Sequence, residues 1–151
     1  MSSSQLLIGM LTHELWGNLR VIETMQQSNA IPDRARILLG HMAASQHVWI
    51  SRIKGEAFTM AVFPDISVEE CKNLFHSHHQ QLMEWAYDSD KLQSIIAYTT
   101  TTGQSYTNTV EGLLTHICLH SQYHRGQINQ LMKPLVDHVN DVDYIQYLRS
   151  L

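Results

Sequence analysis

Apolar residues recur every three or four positions in four long stretches of the chain, the spacing that lines one face of an α-helix. In the first stretch, from about Ser3 to Ser28, the stripe is Leu6, Leu7, Met10, Leu11, Leu15, Leu19, Ile22 and Met25. Ser28-Asn29-Ala30 and then Pro32 mark its end. A second helix should start near Pro32-Asp33, because proline suits a first helical turn. It continues through Ile37, Leu38, His41, Met42, Ser45, Val48, Trp49 and Ile53 and should stop at Lys54-Gly55. Ser67 with Glu70 three residues later reads as a capping box, opening a third helix that runs to about Tyr87. Its inner face is Val68, Cys71, Leu74, Phe75, His78, Leu82 and Trp85. The fourth runs from about Thr109 to Met132, ending before Pro134, with Val110, Leu113, Leu114, Ile117, Ile128 and Leu131 on its stripe.

The connections have a different texture. Residues 56–67 contain Phe63 and Pro64 without helical continuity and predict a loop whose aromatics pack over one end of the helices. Asp88 to Asp90 breaks the third helix. The stretch from Ile95 to Asn108 is β-branched and aromatic around Gly103, which suggests extended chain or a short hairpin, with an irregular crossover as the alternative. Asp143 to Leu148 predicts a last short helix packed back on the others. The reading is an all-α chain, and 151 residues suggest one domain with a real core.

Composition alters this picture in one respect. With 44% hydrophobic and 16% charged residues the chain should be globular. A net charge of −4 without a basic block argues against binding nucleic acid, which requires a positive patch. No stretch has the length of a membrane-spanning helix, and Met1 to Gln5 lacks the charged start and apolar run of a signal peptide, so no membrane role and a cytoplasmic location are the expectations. Cys71 and Cys118 match no zinc or redox motif and read as buried free thiols. The anomaly is ten histidines.

Their positions matter more than their number. His116, His120 and His124 recur four apart, so on a helix they stack into a column of imidazoles at the edge of the core. Two imidazoles one turn apart can grip a single metal ion. On the second helix His41 shares its side with Leu38, Met42, Ser45 and Trp49, whereas His47, six residues on, points elsewhere. His41 is therefore the better candidate to face the column. His76, His78 and His79 scatter around the third helix and read as structural or solvated. His13 and Trp16 read as packing residues.

Two segments taken together, His41-Met-Ala-Ala-Ser-Gln-His47-Val-Trp49-Ile-Ser-Arg52-Ile53 and His116-x3-His120-x2-Tyr123-His124-Arg125-Gly126-Gln127, resemble the DinB family within the wider DinB/YfiT-like superfamily. The second segment is the more specific, and the resemblance covers essentially the whole chain. It implies a four-helix bundle with a long crossover between the third and fourth helices. It also implies a divalent metal held by three histidines, which match His41, His120 and His124. By the same match His116 lies beside the site and His47 is the fallback ligand; Gln127, three residues after His124, lies on the metal side, as a partner for a ligand or as a packing residue. Gly126 is expected to let helices approach closely, and Arg125 to point away from the ligands toward a carboxylate.

Three neutral imidazoles leave an ion with its full charge and with open coordination positions, the pattern of catalytic sites. Such an ion can lower the pKa of a bound water or thiol, which points to metal-assisted hydrolysis or to activation of a small-molecule thiol for transfer. Superfamily relatives resemble thiol-dependent S-transferases and isomerases, which favours the thiol. The contrasting expectation is a non-catalytic metal-binding or stress-induced interaction module. Nickel or zinc is expected, with iron and manganese also accepting imidazole. Glu14, His47 and His116 are the candidate general bases, and an apolar outer stripe suggests a homodimer.

Overall fold

Six helices and one hairpin follow one another along the chain in the computed structural model, which describes residues 2–151. The long helices are α1 (Ser3–Gln26), α2 (Asp33–Lys54), α3 (Val68–Ala86) and α5 (Val110–Met132); α4 (Ser89–Gln93) and α6 (Tyr144–Arg149) are short. Helix ends follow local chemistry. Ser2 with Gln5, and Ser67 with Glu70, form capping boxes that satisfy the first free N–H groups of α1 and α3. The Thr109 hydroxyl caps α5 by accepting from the Gly112 N–H. Gly55 closes α2 in the left-handed region at φ 72°, where a side chain would be strained.

The stretch after α3 resolves into two parts. Asp88 does not merely break the helix; its carboxylate caps the extra turn α4. Strands β1 (Ile95–Thr99) and β2 (Ser105–Thr109) then pair antiparallel, with Tyr98 opposite Tyr106, so the hairpin is formed and no irregular crossover is.

Both α1 and α2 pack against α3 and against α5. Two apolar clusters fill the interior. One gathers Ile22, Met25, Leu39, Met42, Phe75, Ile128 and Met132; the other gathers Leu11, Ile50, Leu82, Leu114 and Ile117. Each fully buried Leu, Ile or Met is worth about 1.5–3 kcal/mol relative to exposure. Along every long helix a buried polar residue separates the two clusters: Glu14 and Asn18 on α1, Gln46 on α2, His78 on α3, and Ser121 and Arg125 on α5.

That layer is hydrogen-bonded through all four helices. Asn18 donates to Glu14 Oε1 at 2.6 Å and accepts from Arg125 Nη1 at 2.7 Å. Gln46 donates to Glu14 Oε1 at 2.8 Å and accepts from His78 Nδ1 at 3.0 Å. Arg125, fully buried, stands 3.9 Å from the Glu14 carboxylate. It has found the carboxylate expected for it, but in the core. Burial pushes the Glu14 carboxyl up and the facing guanidinium pulls it back down. Ser121 Oγ faces Glu14 without completing a hydrogen bond of good geometry. One expectation fails here: a Cβ on Gly126 would meet open space, so that glycine allows no close approach. The close approach is at Gly17, where a Cβ would stand 2.9 Å from Arg125 Nε.

Candidate metal centre

The α2 and α5 helices bring His41, His120 and His124 together, with one potential ligand atom from each lying within 4.8 Å of the others. Their rings meet edge to face: centroids are 5.1 Å apart for His41 and His120, 5.0 Å for His41 and His124, and 4.5 Å for His120 and His124. All three are half-buried. Among the described residues no fourth His, Cys, Asp or Glu joins the group.

Neighbouring groups fix which nitrogens face inward. His41 Nδ1 donates to the Val62 carbonyl at 2.9 Å, and His124 Nδ1 donates to Gln127 Oε1 at 2.7 Å. A neutral imidazole has one N–H, so Nε2 of each is left with its lone pair. This is the usual way a histidine ligand is held, with its outer nitrogen on a carbonyl or carboxylate. The Nε2 atoms of His120 and His124 are 3.1 Å apart. With His124 already donating through Nδ1, the proton they share belongs to His120. For His120 to offer Nε2 as a ligand, that proton must shift to its Nδ1. The spacing suits a common ion: nitrogens 3.1 Å apart and each about 2.0–2.1 Å from a metal subtend roughly 98°, between octahedral and tetrahedral angles.

The electrostatics favour the neutral, ligand-competent form. Burial, followed by the neighbouring His124, His41 and His116, pushes His120 down to about 4. Burial also lowers His124, against the opposing hydrogen bond to Gln127. Metal binding therefore displaces no proton from a charged His120 at neutral pH.

The loop after α2 completes the setting. Phe63 stacks flat on His41, with centroids 4.3 Å apart at 11°. The loop can lie this close because Gly40 has no side chain; a Cβ there would stand 3.3 Å from the Pro64 carbonyl. The roles of Val62, Phe63 and Gly40 are invisible in the sequence pattern. The sequence signal is an aromatic-proline pair in a loop, which predicts packing over an end of the helices; the structure stacks Phe63 on His41 instead.

Other histidines fall into distinct places. His116 is exposed at the edge of the cluster, 5.6 Å from His120 and 5.4 Å from Trp49 between ring centroids. His47 turns toward α3, accepts from the Thr59 N–H at 3.1 Å and lies 6.3 Å from His78. His78 is buried in the polar layer, His76 is exposed and His79 is half-buried. His13 is buried and donates to the Val142 carbonyl at 2.7 Å. Of the three candidate bases, Glu14 is committed to Asn18 and Gln46 and His47 to the opposite face of α2, leaving His116 beside the cluster. Two cavities open elsewhere, one of about 550 Å³ along the hairpin and one of about 440 Å³ between α2 and α3.

No helix is long and apolar enough among the described residues to cross a membrane. No curated protein matches the chain. The sequence model of the DinB family matches residues 4–150, nearly its whole length.

Proposed function

The chain belongs to the DinB family, and from that membership and the histidine cluster we propose that it is a metal-dependent enzyme whose His41, His120 and His124 hold a divalent ion. The observation that carries this reading is the donor set itself: three imidazoles with nitrogens within 4.8 Å of one another, two of the rings oriented by acceptors behind them. We read the four long helices as a four-helix bundle and the chain as a single domain that presents this cluster between α2 and α5.

A divalent ion at three imidazoles retains its charge and free coordination positions, and so supplies a Lewis acid for activating a thiol or a water. The chain's own residues do the rest. Val62 and Gln127 hold His41 and His124 in the tautomer that presents Nε2. Phe63 shields one face of His41 from water. His116 is the imidazole placed to accept the proton that a thiol or water gives up. Thiol transfer is the preferred chemistry and hydrolysis the second; a small-molecule thiol is the expected partner, and neither nucleic acid nor a membrane is expected as one. Nickel or zinc suits the all-nitrogen set, and iron or manganese would also be accepted. A cytoplasmic location fits two free buried thiols. Exposed Leu6 and Leu119, which flank one cavity, support a homodimer.

A non-catalytic metal-binding or interaction module is the second reading, favoured by two cavities that open away from the cluster. Metal content by mass spectrometry on untagged protein, with His120→Ala alongside, is the first test. About one ion per chain, lost in the variant while helical circular dichroism persists, is expected. No metal after reconstitution would remove the basis for the enzyme and leave the interaction module.

A further inference from the structure

Arg52 sits among three aromatic rings and, among the described residues, has no anionic partner. Its guanidinium carbon lies 4.6 Å from the centroid of Trp49, 5.0 Å from Tyr98 and 5.9 Å from Phe58. Trp49 and Tyr98 meet edge to face at 5.1 Å, so the rings form a walled seat for the cation. Cation–π attraction holds the guanidinium without using its N–H groups. Among the described residues none of those donors reaches a protein oxygen, and no ion pair includes Arg52. The contrast with Arg125 is direct, since that guanidinium donates to Asn18, Gln122 and the Glu14 carbonyl.

The unused edge of Arg52 borders a hollow of about 390 Å³, lined also by Gly55, Glu56, Phe58 and Tyr98. Glu56 is the opposing charge there, exposed and not paired with Arg52. The seat is connected to the histidine cluster through two intervening rings. His120 neighbours His116, His116 neighbours Trp49 at 5.4 Å, and Trp49 carries Arg52. A planar, always-charged fork with free N–H groups recognises carboxylate or phosphate oxygens in pairs.

We propose that Arg52, seated on Trp49 and Tyr98, is a binding subsite for a carboxylate or phosphate group carried by the small molecule that reacts at the three histidines. The subsite stands on its own geometry; its assignment to a substrate rests on the metal-dependent reading above. It predicts a substrate that is extended, with its reactive end at the cluster and its anionic end at the hairpin.

The experiment is side-chain Nε–H NMR on protein labelled with nitrogen-15 arginine, titrated with sodium phosphate and, separately, with sodium succinate at constant ionic strength. Six arginines give six signals at most, and Arg52→Lys identifies the Arg52 signal by removing it. The expected result is a saturable shift of that signal in the millimolar range, with the others unmoved, and tighter binding in Glu56→Gln. The salt that saturates first shows which oxyanion the seat prefers. No saturable shift with either salt overturns the proposal, as does a uniform shift of the exposed arginines. The same titration in His120→Ala separates the two readings. A shift retained in His120→Ala leaves the subsite standing independently of the histidines, whereas a parent protein that binds no metal after reconstitution removes the metal-dependent function and not the subsite. A shift lost in His120→Ala but present in the parent places the anion on the histidines and overturns the Arg52 assignment.

Discussion

Replacing Gly17 by alanine should destabilise the protein, although the substitution is favourable to a helix. Gly17 lies within α1, where alanine is preferred to glycine by about 0.8–1 kcal/mol. Against that gain, the new Cβ would stand 2.9 Å from Arg125 Nε, 3.0 Å from Cζ and 3.2 Å from Cδ. Comfortable contacts begin at about 3.5 Å, so the guanidinium must retreat by roughly 0.5 Å. It has little freedom to do so. Arg125 is fully buried, donates at 2.7 Å to both Asn18 Oδ1 and Gln122 Oε1, and reaches the Glu14 carbonyl at 3.2 Å. The first two bonds would stretch to the edge of hydrogen-bond range and the third beyond it, and bonds to a charged group are worth about 1.5–3 kcal/mol each. Losing one or two outweighs the propensity gain, for a net loss of about 1–3 kcal/mol. Urea unfolding followed by helical circular dichroism measures it. In an Arg125→Ala background all three contacting atoms are gone, so Gly17→Ala should there stabilise by about 0.5–1 kcal/mol. A stabilising Gly17→Ala in the parent protein would refute the account of this contact.

Three further outcomes follow from the geometry. Gln127→Ala removes the acceptor behind His124 Nδ1 and should weaken metal affinity by about 10–100-fold without unfolding the chain, measured by competition with a chelating dye. His78, held at about 4 by burial and by the facing His47, is neutral in the fold and protonates near its ordinary value of 6.5 when unfolded. The unfolded chain then binds the extra proton. His78 therefore contributes stability that is complete above pH 6.5 and is lost as the pH falls toward 4, by at most about 3 kcal/mol; His78→Gln should flatten the measured stability profile in that window. Burial pushes Cys71 up to about 11 and Cys118 higher still, so neither should react with a thiol reagent at mildly alkaline pH until the protein is unfolded, and fast labelling of native protein would contradict their burial.

The sequence carried the helices well because their signals are local. Stripe spacing, the Ser67–Glu70 capping box, Gly55 and Pro134 depend on neighbours within a turn, and the observed ends fall within about two residues of those signals. The histidine column was legible for the same reason, since a spacing of four on one helix is also a spacing in space. His41 could be ranked over His47 because six residues turn a helix by about 600°, placing the two side chains about 120° apart. What could not be read was contact between distant segments. Nothing near Gly17 announces that Arg125 lies over it, and Gly126, beside the histidines, was the more tempting choice. Phe63 shields His41 only because the loop returns across Gly40, and Arg52 meets Tyr98 only through the hairpin.

The α2 helix shows how one element can serve two environments without compromising either. Its His41 side faces α5 and the cluster, its His47 side faces α3, and Gln46 between them enters the core. Gln46 has one donor end and one acceptor end, and each is used: Nε2 on the Glu14 carboxylate, Oε1 on His78 Nδ1. A half-turn rotation or an axial slip of α2 would leave the Gln46 amide and the His78 imidazole unpaired at once, at about 1–3 kcal/mol for each, and would take from the Glu14 carboxylate one of its hydrogen-bond donors. Apolar side chains in the same layer would tolerate such slips, because their contacts carry no direction. The buried polar layer therefore fixes the rotation of α2, and that rotation decides whether His41 meets His120 and His124. The cluster depends on its orientation on Glu14, Asn18, Gln46 and Arg125, residues that are not among its three candidate ligands.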